Sequence, residues 1–284
     1  MFQFQPRNFP PASGPWVSIA GAGPGDPELL TVKALDRIRS ADAIVYDALI
    51  SAEVRALFPP GAALFAMGKR AGDSASATQT EINRLLLDCA REGMRVVRLK
   101  GGDPFIFGRG GEEALFLAAH GIPFEIIPAV SAINGAAAAA GIPLTHRGLS
   151  QSCTVLNGHE GHRDEIAWAS LVALGGTWVF LMAKHSAQPI ARALLHHGAA
   201  PDLFLALVEE ATLPTQAVRI VTLAQAAEGL CLPQTAGPGL LLVGPSVEFA
   251  LELAAAANNL ESYGNALPNL PEFGGEESLD RGGR

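Results

Sequence analysis

Residues 94–113 read MRVVRLKGGDPFIFGRGGEE, and the fold is decided where this stretch changes character, between Leu99 and Gly101. The Val-rich alternating run at 94–99 predicts a β-strand. Behind it, residues 100–113 hold Gly101, Gly102, Gly108, Gly110 and Gly111 in what reads as one loop. Glycine loses more conformational freedom on ordering than any other residue, so such density needs a cause, and positive φ or close backbone approach supplies one. With Asp103, Lys100 and Arg109 in the same loop, the pattern predicts a ligand lying against the backbone where the strand ends.

Working outward from that strand, the same unit recurs. The apolar run at 17–20 ends in Gly21-Ala22-Gly23-Pro24-Gly25-Asp26-Pro27, after which Leu29, Leu30, Ala34, Leu35 and Ile38 recur at helical spacing. A strand at 43–46 stops at Asp47, a helix follows over about 51–57, and a strand at 63–66 precedes Gly68-Lys69-Arg70. A helix over about 78–92 leads back to the strand at 95–99. Such alternation predicts an α/β fold with a mostly parallel sheet covered on both faces and ligand sites at the carboxyl ends of its strands. Asp47, the 21–27 turn, Lys69-Arg70 and the 100–113 loop all fall at such ends.

Beyond Gly121 a strand at 124–127 runs into Pro128 and then into small residues from Ser131 to Ala140, which permit close helix packing or close ligand approach. Pro143 and Gly148 mark the next stretch as linker-like, with Arg147 between them. Strands at 152–156, 177–182, 203–208 and 239–243 and helices near 187–197 and 246–256 resume the alternation. We therefore expect a mobile leader at 1–15, an N-terminal α/β domain at 16–130, a linker and cleft segment at 131–148, a C-terminal α/β domain at 149–257 and a flexible tail at 258–284.

The formal net charge of −8 argues against a general nucleic-acid surface, which wants a basic field. An anionic ligand would need a local basic pocket. Lys69, Arg70, Lys100, Arg109 and Arg147 each sit in a glycine- or proline-bearing loop, and as a set they suggest such a pocket, since arginine grips carboxylates bidentately. Cys89, Cys153 and Cys231 are odd in number and far apart, which points to reduced thiols in a cytoplasmic protein. No stretch has the length of a membrane span. His159-Glu160-Gly161-His162 lacks supporting ligands at metal spacing and reads as a solvated loop, so no metal is expected. The 21–26 turn fails the dinucleotide fingerprint, because Asp26 stands where its third glycine should be.

Taken together, VSIAGAGPGDPELLTVKAL at 17–35, ADAIVYDALIS at 41–51, MGKRAG at 67–72, LKGGDPFIFGRGGEEA at 99–114, PAVSAINGAAAAAGIPLTHRGLSQS at 128–152, ATLPTQ at 211–216 and PGLLLVG at 238–244 resemble the tetrapyrrole methylase family, in its uroporphyrinogen-III C-methyltransferase branch. That resemblance implies a two-domain fold, mostly parallel in its first sheet and mixed in its second, with the active site in the interdomain cleft. It further implies a homodimer that binds S-adenosyl-L-methionine, releases S-adenosyl-L-homocysteine, and methylates C2 and C7 of uroporphyrinogen III to give precorrin-2. The family's cofactor contacts correspond to Pro24, Gly101, Gly102, Asp103, Ile106, Ser131, Ala132, Met182 and Ala211, and its catalytic aspartate to Asp47. The carboxylate-rich substrate gives the loop cations a purpose. Four positions depart from the family pattern: Tyr46 replaces a histidine, Ala129 a glycine, and Leu181 and Ala183 the tyrosine and glycine of Tyr-Met-Gly around Met182.

Overall fold

The computed structural model describes residues 15–68, 78–159 and 165–264. They form two five-stranded sheets, one after the other along the chain. In the first, β1 (Trp16–Gly21), β2 (Ala43–Tyr46), β3 (Ala63–Ala66), β4 (Arg95–Lys100) and β5 (Phe124–Ile127) run in the order β3-β2-β4-β1-β5. Every pairing in this sheet is parallel. β1 is buried along its whole length, as expected of a strand covered on both faces.

Side-chain alternation divides the apolar residues between those faces. Ala20, Ile44, Val97 and Leu99 pack with Ala34 and Ile38 of α1 (Val32–Arg39) and Val54 of α2 (Ala52–Arg55). Val17, Ile19, Val45 and Val96 pack on the other side with Leu86 of α3 (Gln79–Arg91) and Leu117 of α4 (Gly110–Ala119). α1 begins later than its periodicity suggests, because Pro27–Leu29 forms a 3-10 turn and Thr31 caps the helix proper by accepting from the Ala34 N–H. A reciprocal Thr78–Glu81 capping box starts α3.

Two glycines of the opening stretch answer to close approach of the loop's own backbone. Residues 110–113 are the first turn of α4 rather than loop, since Arg109 adopts a left-handed conformation (φ 58°) that ends the loop. A Cβ on Gly108 or Gly110 would lie 2.7 or 2.6 Å from the Pro104 carbonyl oxygen. Both therefore serve the packing of loop against helix.

The small-residue segment forms α5 (Ala132–Ala139), whose Ile133, Ala136 and Ala137 pack against Val179, Ala206, Val208, Leu240 and Leu242 of the second sheet. That sheet is mixed: β6 (Cys153–Asn157) pairs parallel with β7 (Thr177–Leu181), while β8 (Phe204–Glu209), β9 (Ala217–Thr222) and β10 (Gly239–Val243) pair antiparallel in the order β6-β7-β10-β8-β9. α6 (Trp168–Leu174), α7 (Ala187–His196) and α8 (Leu223–Ala227) cover one face, and α5 with α9 (Ser246–Gly264) the other. α6, β9 and α8 are absent from the sequence reading. β9 is a half-buried edge strand that runs straight into α8 with no glycine or proline between them. α9 continues past residue 257, where a tail was expected, and the first glycine after Gly244 is its final residue, Gly264. No helix among the described residues is long and apolar enough to cross a membrane.

Candidate active site

Because the first sheet is parallel, β1, β2, β4 and β5 all deliver their carboxyl ends to one edge. The turn after β1 is stitched to the loop after β4 by hydrogen bonds from Gly102 N–H to Gly23 O (2.9 Å) and from Gly23 N–H to Gly102 O (3.3 Å). Gly102 sits at φ 65°, a conformation open to glycine at little cost. Asp103 ties this loop to the next: Oδ1 accepts from Phe105 N–H (2.8 Å) and Oδ2 from Ala129 N–H (3.0 Å). Ser131 caps α5 by accepting from Ile133 N–H. A Cβ on Gly102 would stand 3.6 Å from Ala132 N, and one on Gly135 would stand 2.7 Å from Pro24. Pro24, Gly101, Gly102, Asp103, Ser131 and Ala132 thus gather at one place.

The second half of the chain closes on the same place. Thr212 Oγ1 accepts from Asp26 N–H at 3.1 Å, and a Cβ on Gly25 would lie 3.4 Å from Ala211 O. Ala132, Leu181 and Ala211 pack against one cluster of buried side chains. Met182 follows β7, half exposed, with φ 57°. Among the described residues, the non-glycine positions with positive φ are Phe107, Arg109, Met182, Glu210 and Thr212. All five belong to the loop after β4, the end of β7 or the turn after β8, the kind of clustering expected where strain is held for function. Ile106 is exposed on the β4 loop.

The charges are arranged less simply. Val96, Arg98 and Lys100 share the β4 face that α4 covers, and the first turn of α4 places Glu113 over it. Glu113 is fully buried, and its Oε1 accepts from Arg98 Nε (3.1 Å), Lys100 Nζ (2.9 Å) and Gln79 Nε2 (3.2 Å), whereas Oε2 has no hydrogen-bond partner. Arg98, 2% exposed, also donates through Nη2 to Asp47 Oδ1 and through Nη1 to the Val45 and Leu99 carbonyls. Asp47 is partly exposed at the end of β2, so a chain of four charges runs from the interior to the sheet edge.

This network corrects the reading of Lys100 as a cation facing the ligand. It is 3% exposed and turned inward onto Glu113, because alternation along β4 sends its side chain under α4. Burial pushes its ammonium below the ordinary lysine range, helped by the Arg98 charge and opposed by Glu113 and Asp47. Arg109 is exposed and pairs with Glu112 (2.9 and 2.6 Å), an association weak enough in water to exchange for another carboxylate. Arg147 stands exposed in a tight turn closed by reciprocal hydrogen bonds between His146 and Ser150 (2.9 Å each), and is not joined to the Asp47 network. Lys69, Arg70 and residues 160–162 of the histidine-bearing loop lie outside the described residues. Sequence reasoning missed Arg98 and Glu113. The available signal was an arginine two residues before Lys100 in the interior of the strand, set among Val96, Val97 and Leu99.

The sequence profile of tetrapyrrole (corrin/porphyrin) methylases matches residues 17–227, and the chain belongs to that family. It is 49% identical over 231 residues to a siroheme synthase of Edwardsiella ictaluri, covering 81% of this chain and 50% of that protein. With a siroheme synthase of Neisseria meningitidis serogroup C it shares 44% over 265 residues, 92% of this chain and 54% of the other. The chain therefore spans about half the length of these curated relatives. Among solved structures, uroporphyrin III C-methyl transferase from Thermus thermophilus in its native form superposes with a TM-score of 0.71 at 38% identity, over 82% of this chain and 99% of that one. The Thermus thermophilus enzyme complexed with S-adenyl homocysteine gives 0.70 at 38% identity, over 81% and 92%.

Proposed function

We propose that this chain is a uroporphyrinogen-III C-methyltransferase that uses S-adenosylmethionine to methylate C2 and C7 of uroporphyrinogen III, giving precorrin-2 and S-adenosylhomocysteine on the way to sirohaem. The observation that carries the reading is Asp47, held by Arg98 at the sheet edge beside the Gly101–Asp103 backbone, in a chain 38% identical to a uroporphyrin III C-methyl transferase. The residues fit the cofactor. Backbone at Gly101, Gly102 and Asp103, the small side chains of Ser131, Ala132 and Ala211, and the exposed apolar surfaces of Ile106 and Met182 suit an adenosyl group and the chain bearing its sulfonium, with Pro24 shaping the turn between them.

When bound, S-adenosylmethionine supplies an electrophilic methyl group. The task left to the protein is placement of an electron-rich pyrrole carbon and removal of a pyrrole N–H proton. Orientation alone contributes several kcal/mol, roughly, in such transfers. Asp47 accepts that proton at its carboxylate, and Arg98 fixes the direction from which it does so. Asp103 shapes the loop, since both of its oxygens are engaged by backbone N–H groups. Arg109 and Arg147 are left to meet the substrate's carboxylates, a local field that outweighs an acidic net charge at short range. The same reading divides the chain into two units with the site in the cleft between them, and has it work in the cytoplasm as a homodimer.

Mass spectrometry of uroporphyrinogen III incubated anaerobically with the protein and S-adenosylmethionine tests the proposal. A gain of two methyl groups is expected. No gain, or methylation only of a later corrin precursor, would sink it.

A further inference from the structure

Away from Asp47, a second buried ion pair stands behind the turns assigned to the cofactor. Glu209 ends β8, is 1% exposed, and accepts from Gln234 N–H (2.8 Å), Thr235 N–H (3.1 Å) and Thr235 Oγ1 (3.1 Å). Its partner is Lys184, whose Nζ lies 3.2 Å from Glu209 Oε1 and donates to the carbonyls of Thr235 (2.7 Å) and Gly237 (2.5 Å). Burial works to raise the Glu209 carboxyl, but the Gln234 and Thr235 N–H groups, Lys184 and the Thr235 hydroxyl together hold it below the ordinary glutamate range. The pair thus grips the 234–237 strap that leads into β10.

Each partner adjoins a strained turn. Glu209 is followed directly by Glu210 (φ 47°), Ala211 and Thr212 (φ 69°), and Lys184 comes two residues after Met182 (φ 57°). The strap closes on the first of these turns, because Glu210 N–H donates to Pro238 O (2.9 Å) and a Cβ on Gly237 would lie 2.3 Å from Glu210 Cγ. Non-glycine residues persist in left-handed conformations only where their surroundings over-determine them. Here the surroundings are a lysine, a glutamate and the strap they share.

We propose that Lys184 and Glu209 are positioning residues that hold the Met182 and Ala211 turns in the geometry that binds S-adenosylmethionine. The proposal rests on the reading above that those turns are cofactor contacts. Neither residue touches the cofactor; each acts through the strap.

The test compares wild-type protein with Lys184→Met and Glu209→Gln by calorimetric titration of S-adenosylhomocysteine, with uroporphyrin III binding and thermal unfolding followed alongside. Both variants are expected to lose about 10-fold or more in S-adenosylhomocysteine affinity, at a temperature where they are folded, and to keep wild-type affinity for the macrocycle. Lowered thermal stability with unchanged S-adenosylhomocysteine affinity would reduce the pair to a structural role and overturn the proposal. Should either variant fail to fold, Thr235→Val, which removes a single donor to Glu209, is read in the same way. Wild-type protein that does not bind S-adenosylhomocysteine would remove the functional reading itself and this proposal with it.

Discussion

Arg98 joins Asp47 to Glu113: its Nε lies 3.1 Å from Glu113 Oε1 while Nη2 donates to Asp47 Oδ1. A planar guanidinium can serve two carboxylates from its two edges, which the point charge of a lysine cannot do in a fixed geometry. The interior carboxylate therefore sets the orientation of the one at the sheet edge.

Replacing Asp47 by asparagine keeps an oxygen to accept from Arg98 and removes the proton acceptor. Turnover is expected to fall by about 100-fold or more, while S-adenosylhomocysteine binds as in the wild type. Steady-state kinetics and titration check the two halves separately, and wild-type-like turnover would take Asp47 out of the mechanism.

Glu113→Ala leaves the buried Arg98 and Lys100 with only Asp47, at the sheet edge, as their shared counter-charge. The loss of a partner from a buried pair is worth about 3–5 kcal/mol, so urea denaturation is expected to show a shift of that order. Glu113→Gln, which keeps an acceptor for Arg98, should lose less. A change below about 1 kcal/mol in the alanine variant would mean that the two cations are compensated elsewhere.

Gly21→Ala tests how closely the ends of β1, β4 and β5 must meet. The added Cβ would lie 2.4 Å from Gly102 O and 2.6 Å from Ala129 Cβ, so the loops carrying Gly102 and Ala129 have to move apart. Overpacking of this kind costs about 1–3 kcal/mol, and cofactor affinity should fall with it. Gly61→Ala, where nothing lies within 4 Å, is the control expected to change little. Equal behaviour of the two variants in denaturation and titration would contradict the close approach.

Acid sensitivity offers a check at the other end of the first sheet. The Arg95 side chain, then its backbone N–H, hold the Asp42 carboxyl down to about 2 against some opposing desolvation. A lowered carboxyl stabilises the fold above its unfolded range, and that contribution disappears as pH falls from about 4 toward about 2. Asp42→Asn should flatten the decline of thermal stability over that window. The change will be small, because both partners are substantially exposed. An unaltered decline would show that other carboxylates govern acid unfolding.

The α/β alternation of the first half could be read from the chain because its signals are local. Val-rich runs have the period of a strand, glycine and proline mark the turns, and Thr78 with Glu81 announces a helix start. The placing of the Gly101–Asp103 loop at the carboxyl edge of the sheet follows from the same punctuation. β9 and α8 escaped because no glycine or proline separates the strand from the helix, and α4 because glycine at 110 and 111 imitates a loop.

What the chain order could not supply was the direction of its charges. Arg98, Lys100 and Arg109 look alike as cations around one glycine-rich stretch, yet one bridges two carboxylates, one is buried under α4 and one stands in water against Glu112. That sorting depends on α4 packing Glu113 over β4, and for Lys184 and Glu209 on a strap that returns from 25 residues beyond β8. Strand period is a property of neighbours in sequence, whereas the partner that neutralises a buried charge comes from a distant segment brought close by packing.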